Sequence, residues 1–192
     1  MKIGLFGGSF DPIHLGHLVA AQQVLDEKLC EKIWFLPCYQ NPLKKKSTET
    51  KHRKKMLEIA IKNEKGFELN ETELKEKKTN YTIETVRKLK KLFSEHEFYF
   101  IIAGKALKEF NKWKKYDELA KEIKFIVVSF QHSDKIPKKI GKFNPIKLNP
   151  TLSSNISSTL IRKGIKEKKD VSVFLPKKVL DYIKENKLYE FK

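Results

Sequence analysis

A chain of 192 residues with 40% hydrophobic and 11% aromatic content can fill one core and is too apolar to be disordered throughout. It contains no apolar run near the roughly 20 residues that span a bilayer and opens directly on a strand pattern, so a membrane protein and a secreted one are both excluded as expectations, in favour of a soluble, cytoplasmic protein. Lys+Arg 41 against Asp+Glu 24 gives +17, which attracts anions, but the lysines recur at 44–46, 75–78, 112–115 and 166–169, so they read as solvated faces and no dedicated nucleic-acid partner is expected.

Ile3-Gly4-Leu5-Phe6 reads as a buried strand running into Gly7-Gly8-Ser9-Phe10-Asp11-Pro12-Ile13-His14-Leu15-Gly16-His17. A strand, glycines and a helix start in succession bring backbone N–H groups and the positive end of a helix dipole to one spot, which suits a phosphate. His14 and His17 are three apart and share a helix face, so both imidazoles can address one anion. A neutral ring donates one hydrogen bond, and a protonated ring adds charge.

Leu15 to Leu29 has helical apolar spacing, and Lys32-Ile33-Trp34-Phe35-Leu36-Pro37 is a strand stopped by proline, which makes a right-handed βαβ unit. Cys30 and Cys38 lie eight apart with no histidines at metal-ligand spacing, so they are expected as reduced thiols and no protein metal site is expected. The stretch from Cys38 to Lys51 is a polar, basic loop in which Lys44 is a candidate phosphate contact. Arg53 to Ile61 is a helix with a stripe of Met56, Leu57, Ala60 and Ile61.

Weak alternation from Phe67 to Leu74 predicts a strand, and Asn80-Tyr81-Thr82-Ile83-Glu84-Thr85-Val86 leads into a helix reaching Phe93, with Thr82 as its cap. Glu97 to Gly104 is a nearly continuous apolar run, as for an interior parallel strand, and it places Gly104 and Lys105 at the carboxyl end where open α/β sheets bind ligands. A helix carrying Phe110 and Trp113 ends near Leu119. Lys124 to Ser129 is a strand, Gln131 to Gly141 a loop, and Pro145 to Leu148 a short strand. Ile156-Ser157-Ser158-Thr159-Leu160-Ile161-Arg162 sets three hydroxyls at a helix start, with Arg162 four residues after Ser158 on the same face. A guanidinium there can take two phosphate oxygens at once. After Pro176 the tail again has helical spacing.

The joint pattern G-x-F-D-P-x-H-x-G-H resembles the signature of the Rossmann-like nucleotidyltransferases, and Ile156 to Arg162 resembles their I-S-S-T-x-I-R element. The order of motifs from residue 3 to residue 189 is similar to that of the bacterial nicotinate mononucleotide adenylyltransferases. The resemblance implies a doubly wound parallel α/β sheet with helices on both faces, one domain over 1–192, with its core at 1–150 and the phosphate motif and C-terminal helices at 151–192. It implies transfer of AMP from ATP to nicotinate mononucleotide with release of pyrophosphate, as a step of NAD biosynthesis and without a covalent enzyme intermediate. His14, His17 and Arg162 inherit catalytic roles. Gly7, Gly8, Ser9, Phe10, Lys44, Gly104, Ile156, Ser157, Ser158 and Thr159 inherit contacts to ATP. Tyr81, Thr82, Thr85, Lys105 and Trp113 inherit contacts to the pyridine nucleotide, the tryptophan over its ring. Mg²⁺ is expected on the phosphates rather than in a carboxylate cage.

Three positions depart from the family pattern. Leu43 replaces a histidine of a Pro-His-Lys stretch, Asn80 replaces a serine, and Lys105 replaces an aspartate that faces a ribose. A cation cannot accept the hydroxyl protons that a carboxylate accepts, so Lys105 is expected to turn outward or to meet an anion, unless nucleotide binding is weaker here. These departures and the basic charge leave a non-catalytic nucleotide- or RNA-binding protein as the competing class. Phosphopantetheine adenylyltransferases and cytidylyltransferases are competitors within the superfamily. The sequence leaves self-association open.

Overall fold

The computed structural model describes residues 1–44, 46–128, 138–148 and 156–190, with the backbone alone at 104, 105 and 139. Six strands form one parallel sheet in the order β3-β2-β1-β4-β5-β6, made of β1 (Lys2–Gly8), β2 (Lys32–Pro37), β3 (Phe67–Leu69), β4 (Glu97–Ala103), β5 (Lys124–Val128) and β6 (Ile146–Leu148). Every pairing is parallel, with Leu5 opposite Trp34 on one side and Phe100 on the other. This is a Rossmann-like doubly wound sheet, and the strand order reverses direction between β1 and β4, where such sheets open a crevice beyond the strand ends.

Strand side chains alternate between two buried layers, which is why the strands read as unbroken apolar runs. Phe6, Ile33, Phe35, Tyr99, Ile101, Ile126 and Val128 face one layer, and Ile3, Leu5, Trp34, Leu36, Phe98, Phe100, Ile102, Phe125 and Val127 face the other. The first layer is covered by α1 (Leu15–Asp26) and α2 (Thr50–Ile61). The short α3 (Thr72–Lys75) packs beside β2. The second layer is covered by α4 (Thr82–Leu92), α5 (Gly104–Lys108), α6 (Tyr116–Glu122) and α7 (Lys138–Gly141). Finally α8 (Ser158–Lys166) and α9 (Lys177–Glu185) send Ile161, Val179, Leu180 and Ile183 into the first layer, so the last 35 described residues are part of the main core.

Several local expectations are corrected. The strand predicted over 67–74 stops at Leu69, because Asn70 accepts the Thr72 N–H with its side chain and turns the chain into α3. Thr82 is the first residue of α4 rather than its cap; the cap position is Tyr81, whose carbonyl accepts the Glu84 and Thr85 N–H groups. The helix expected to run through Phe110 and Trp113 is broken into a 3-10 turn at Phe110–Lys112 and α6, with Lys115 in the left-handed region at φ 52° between them. The loop expected over 131–141 lies outside the described residues as far as 137, and Lys138–Gly141 is helical. Ser129 also lies outside them.

Candidate active site

At the carboxyl end of β1 the chain makes a tight bend. Gly7 and Gly8 are still strand residues, and the turn belongs to Ser9 through Pro12. Phe10 sits in the left-handed region at φ 47°, a conformation that costs a non-glycine residue about 1–2 kcal/mol. Burial of its ring offsets that cost: Phe10 is 2% exposed and stands edge-on to Phe6 and Phe35. Gly8 makes room for it, since a Cβ there would lie 3.0 Å from the Phe10 ring. The Asp11–Pro12 peptide is cis.

The bend delivers His14 to the position just before α1, and His17 follows one turn later with the ring centroids 3.7 Å apart. The His14 N–H donates to Nδ1 of His17 at 3.3 Å, so the neutral His17 ring carries its hydrogen on Nε2 as a donor. His14 is buried, and its Nδ1 has no hydrogen-bond partner within the protein. Burial lowers the His14 pKa to about 4. Burial also pulls His17 well below its ordinary value, reinforced by the charges of His14 and Lys44. Both rings are therefore neutral hydrogen-bonding groups at neutral pH, rather than standing cations.

Helix α8 begins against the same bend. Ser157 caps it by accepting the Leu160 N–H at 3.2 Å, which frees Ser158 to donate its hydroxyl to the Pro12 carbonyl at 2.9 Å. Arg162 donates Nη1 to the Asp11 carbonyl at 2.6 Å and Nη2 toward Thr159 Oγ1 at 3.4 Å. The two motifs, some 150 positions apart in sequence, are thus stitched together by side chains of the second and carbonyls of the first. Ile156 is half-buried beneath this start, packed on the first core layer. Lys44, on the exposed loop after β2, places Nζ 2.9 Å from Ser9 Oγ, where Asn41 Nδ2 also donates at 3.3 Å. Two helix N-termini, two imidazoles, a guanidinium and an ammonium converging on one bend make a strongly anion-attracting crevice.

Sequence reasoning missed the group that holds this bend. Arg53 on α2 is 1% exposed and directs Nε to the Thr48 carbonyl, Nη1 to the Ser9 and Cys38 carbonyls, and Nη2 to the Tyr39 carbonyl and Thr50 Oγ1. All its acceptors are neutral, so it ties the loop after β1 to the loop after β2 as a five-pronged clamp. The signal was available: Arg53 precedes Met56, Leu57, Ala60 and Ile61 by three, four, seven and eight, in the buried phase of its own helix. Asp11 was missed as well; it is 4% exposed and accepts the Tyr189 hydroxyl at 2.9 Å and the Thr48 N–H at 3.3 Å. No local signal links residues 178 positions apart.

Against the second core layer lie the expected pyridine contacts. Tyr81 and Trp113 are both half-buried against the second core layer, and Trp113 meets Phe100 and Phe110 with centroids 5.6 Å away. Lys114, not anticipated, places Nζ 4.1 Å from the Tyr81 ring centroid and 2.8 Å from Glu84 Oε1, so it links the two aromatic positions. Thr82 is half-buried. Thr85 is 5% exposed, and its hydroxyl donates to Glu73 Oε1 at 2.7 Å. Gly104 and Lys105 open α5 directly after β4, at the strand end where they were expected. Leu43, standing where the family has histidine, is 45% exposed.

For a hard cation the described residues offer no group of three or more His, Cys, Asp or Glu side chains. The one carboxylate at the bend, Asp11, is taken by Tyr189 and Thr48.

Comparison with known proteins agrees with this fold. The family described as Cytidylyltransferase-like matches residues 5–164. The chain is 37% identical over 192 residues to the Bacillus subtilis nicotinate-nucleotide adenylyltransferase, covering 98% of each chain. It is similar to the solved Plasmodium falciparum nicotinic acid mononucleotide adenylyltransferase complexed with NaAD, with a TM-score of 0.83 and 26% identity, covering 98% of this chain and 97% of that one. The structure of the same Plasmodium falciparum protein complexed with APC gives a TM-score of 0.81 at 26% identity, over 98% of this chain and 96% of that one.

Proposed function

The chain belongs to the cytidylyltransferase-like family and, within it, to the nicotinate-nucleotide adenylyltransferases, and from that premise we propose how its residues move AMP from ATP to nicotinate mononucleotide. The observation that carries the proposal is the docking of Ser158 and Arg162 onto the Pro12 and Asp11 carbonyls, which brings imidazoles, hydroxyls and a guanidinium to one crevice.

A phosphate oxygen of the mononucleotide attacks the α-phosphorus of ATP in line, and the bond from that phosphorus to the β-bridging oxygen breaks as pyrophosphate departs. His17 donates Nε2–H to the α-phosphate, where negative charge grows on the equatorial oxygens, with His14 beside it. The backbone N–H groups opening α8, that of Ser158 among them, with Thr159 and the free donors of Arg162, hold the β- and γ-phosphates, and Lys44 extends this cationic rim from the opposite loop. Gly7, Gly8, Ser9 and Phe10 shape the floor, and Gly104 lets the nucleotide approach the end of β4. Tyr81, Thr82, Thr85 and Trp113 receive the pyridine, with Lys105 at the strand end beside it. Mg²⁺, which would neutralise charge on the triphosphate, would be held mainly by the phosphates themselves, as the described residues offer no carboxylate cage for it. Catalysis is then alignment and charge stabilisation with no covalent intermediate.

The reading treats residues 1–192 as one working unit in which 151–192 complete the phosphate site. Two free thiols, and among the described residues no helix long and apolar enough to cross a membrane, support a cytoplasmic setting. Purified protein given ATP, Mg²⁺ and nicotinate mononucleotide should release pyrophosphate and deamido-NAD in equal amounts. No dinucleotide at any enzyme concentration would reject catalysis in favour of nucleotide binding alone.

A further inference from the structure

Beneath the proposed pyridine contacts lies a carboxyl group with no role in the chemistry above. Glu73, on α3, is 8% exposed, and its Oε1 accepts the hydroxyl of Thr85, itself 5% exposed, at 2.7 Å. The Tyr81 carbonyl is a weaker alternative acceptor for that hydroxyl at 3.4 Å. A threonine hydroxyl has one hydrogen, so what it can offer a ligand depends on where that hydrogen is already committed. We propose that Glu73 is a positioning residue for pyridine recognition, setting through Thr85 whether the substrate's ring substituent meets a hydrogen or a lone pair, and so whether the acid or the amide mononucleotide is preferred. The inference deepens the adenylyl-transfer reading and rests on its placement of Thr85 against that substituent.

Two states follow from the geometry. With Glu73 ionised, the Thr85 hydrogen points at the carboxylate, the hydroxyl turns a lone pair outward to accept from an amide NH₂, and the buried negative charge repels a nicotinate carboxylate. With Glu73 protonated, its O–H donates to Thr85 Oγ1, and the threonine hydrogen is released to donate to that carboxylate. Both effects favour the acid when Glu73 holds its proton.

The surroundings make the protonated state accessible. Burial, with Glu76 as the like-charged neighbour on the same side, raises the Glu73 pKa to about 7, opposed only by the Thr85 hydrogen bond. Glu76 at the end of α3 is itself engaged by Lys88, Lys78 and the Asn80 amide. From the end of β2 the facing group is the Cys38 thiol, which feels both Glu73 and Arg53 and is pushed up by burial. The Arg53 charge behind it is committed to the five acceptors of its clamp. From α4 the facing groups are Thr85 and the Tyr81 carbonyl.

The test is the ratio of kcat/KM for nicotinate mononucleotide to that for nicotinamide mononucleotide, from about pH 6 to about pH 8.5, with saturating ATP and Mg²⁺. Titrations shared by both substrates, including their phosphates and the histidines, cancel in this ratio. For the wild type it should fall about tenfold across the range, the worth of one exchanged hydrogen bond. Glu73→Gln, which cannot titrate, should hold a pH-independent ratio. Thr85→Val, which keeps the Glu73 carboxyl but removes the hydroxyl, should lower the ratio and flatten its pH dependence.

A wild-type ratio constant within twofold, or a pH dependence undiminished in Thr85→Val, overturns the proposal. Where amide turnover falls below detection, the wild-type kcat/KM for the acid relative to that of Glu73→Gln is read over the same series, and it must fall by the same factor. Should Glu73→Gln not fold, the wild-type and Thr85→Val profiles decide. Absence of turnover with either mononucleotide defeats the adenylyl-transfer reading itself, whereas turnover with a flat ratio defeats only the role of Glu73.

Discussion

Arg53 reaches the Ser9 carbonyl with Nη1 at 2.9 Å, across 44 positions of sequence, and so governs the shape of a bend it never enters. The same nitrogen takes the Cys38 carbonyl at 2.8 Å, so the loops after β1 and β2 are held at a fixed separation by one guanidinium.

Arg53→Lys keeps the charge and loses the planar fork, leaving several buried carbonyls unpaired. It should lower unfolding stability by about 2–4 kcal/mol and reduce turnover as Ser9 and Lys44 drift apart. Urea denaturation with a parallel pyrophosphate assay checks both effects, and an unchanged midpoint would reduce the clamp to decoration.

The two halves of the phosphate site should separate cleanly in kinetics. His17→Ala removes the proposed Nε2 donor and should cut kcat by roughly 10²-fold or more with the urea midpoint preserved, whereas a loss below about threefold would take His17 out of the mechanism. Arg162→Ala should raise KM for ATP as well as lower kcat. It should also cost about 1 kcal/mol of stability, because Nη1 supports the Asp11 carbonyl whether or not substrate is bound.

Stability should respond to pH with opposite signs on the two sides of the site. The pKa of His14 is lowered from 6.5 to about 4 by burial, so the folded chain resists a proton that the unfolded chain accepts. That contribution is complete above pH 6.5 and is lost as pH falls toward 4. The pKa of Glu73 is raised from 4.5 to about 7, so its contribution is complete below pH 4.5 and is lost as pH rises through 7. Each is worth on the order of 3 kcal/mol at most. Melting temperatures against pH should drop more gently on the alkaline side for Glu73→Gln than for wild type; superimposable curves would contradict the Glu73 assignment.

Much of the fold was legible because both faces of the sheet are buried, which turns β1, β2, β4 and β5 into apolar runs that any reading finds. The short elements were read unevenly: the strand expected over 145–148 is β6, whereas β3 and the turn after Phe110 were misjudged. Three residues of β3 carry too little pattern to be distinguished from the turn that follows, and the left-handed Lys115 that splits the segment after Phe110 leaves no mark in composition. At the site, His14, His17, Ser158 and Arg162 announce themselves because their chemistry is carried in contiguous motifs. Arg53, Glu73 and Asp11 act through tertiary hydrogen bonds spanning 44, 12 and 178 positions, and only a fold reveals those partners. Gly8 shows the mixed case: motif reading gives it to the phosphate, and packing gives it equally to the Phe10 ring.

The hydroxyl of Tyr189 on the Asp11 carboxylate means that the bend receives one of its supports from a residue 178 positions further along the chain. Ser158 and Arg162 are likewise late arrivals. A growing chain on the ribosome therefore carries its imidazoles long before it can grip a triphosphate, and competence should switch on only once Ser158, Arg162 and Tyr189 have emerged and folded back on the bend.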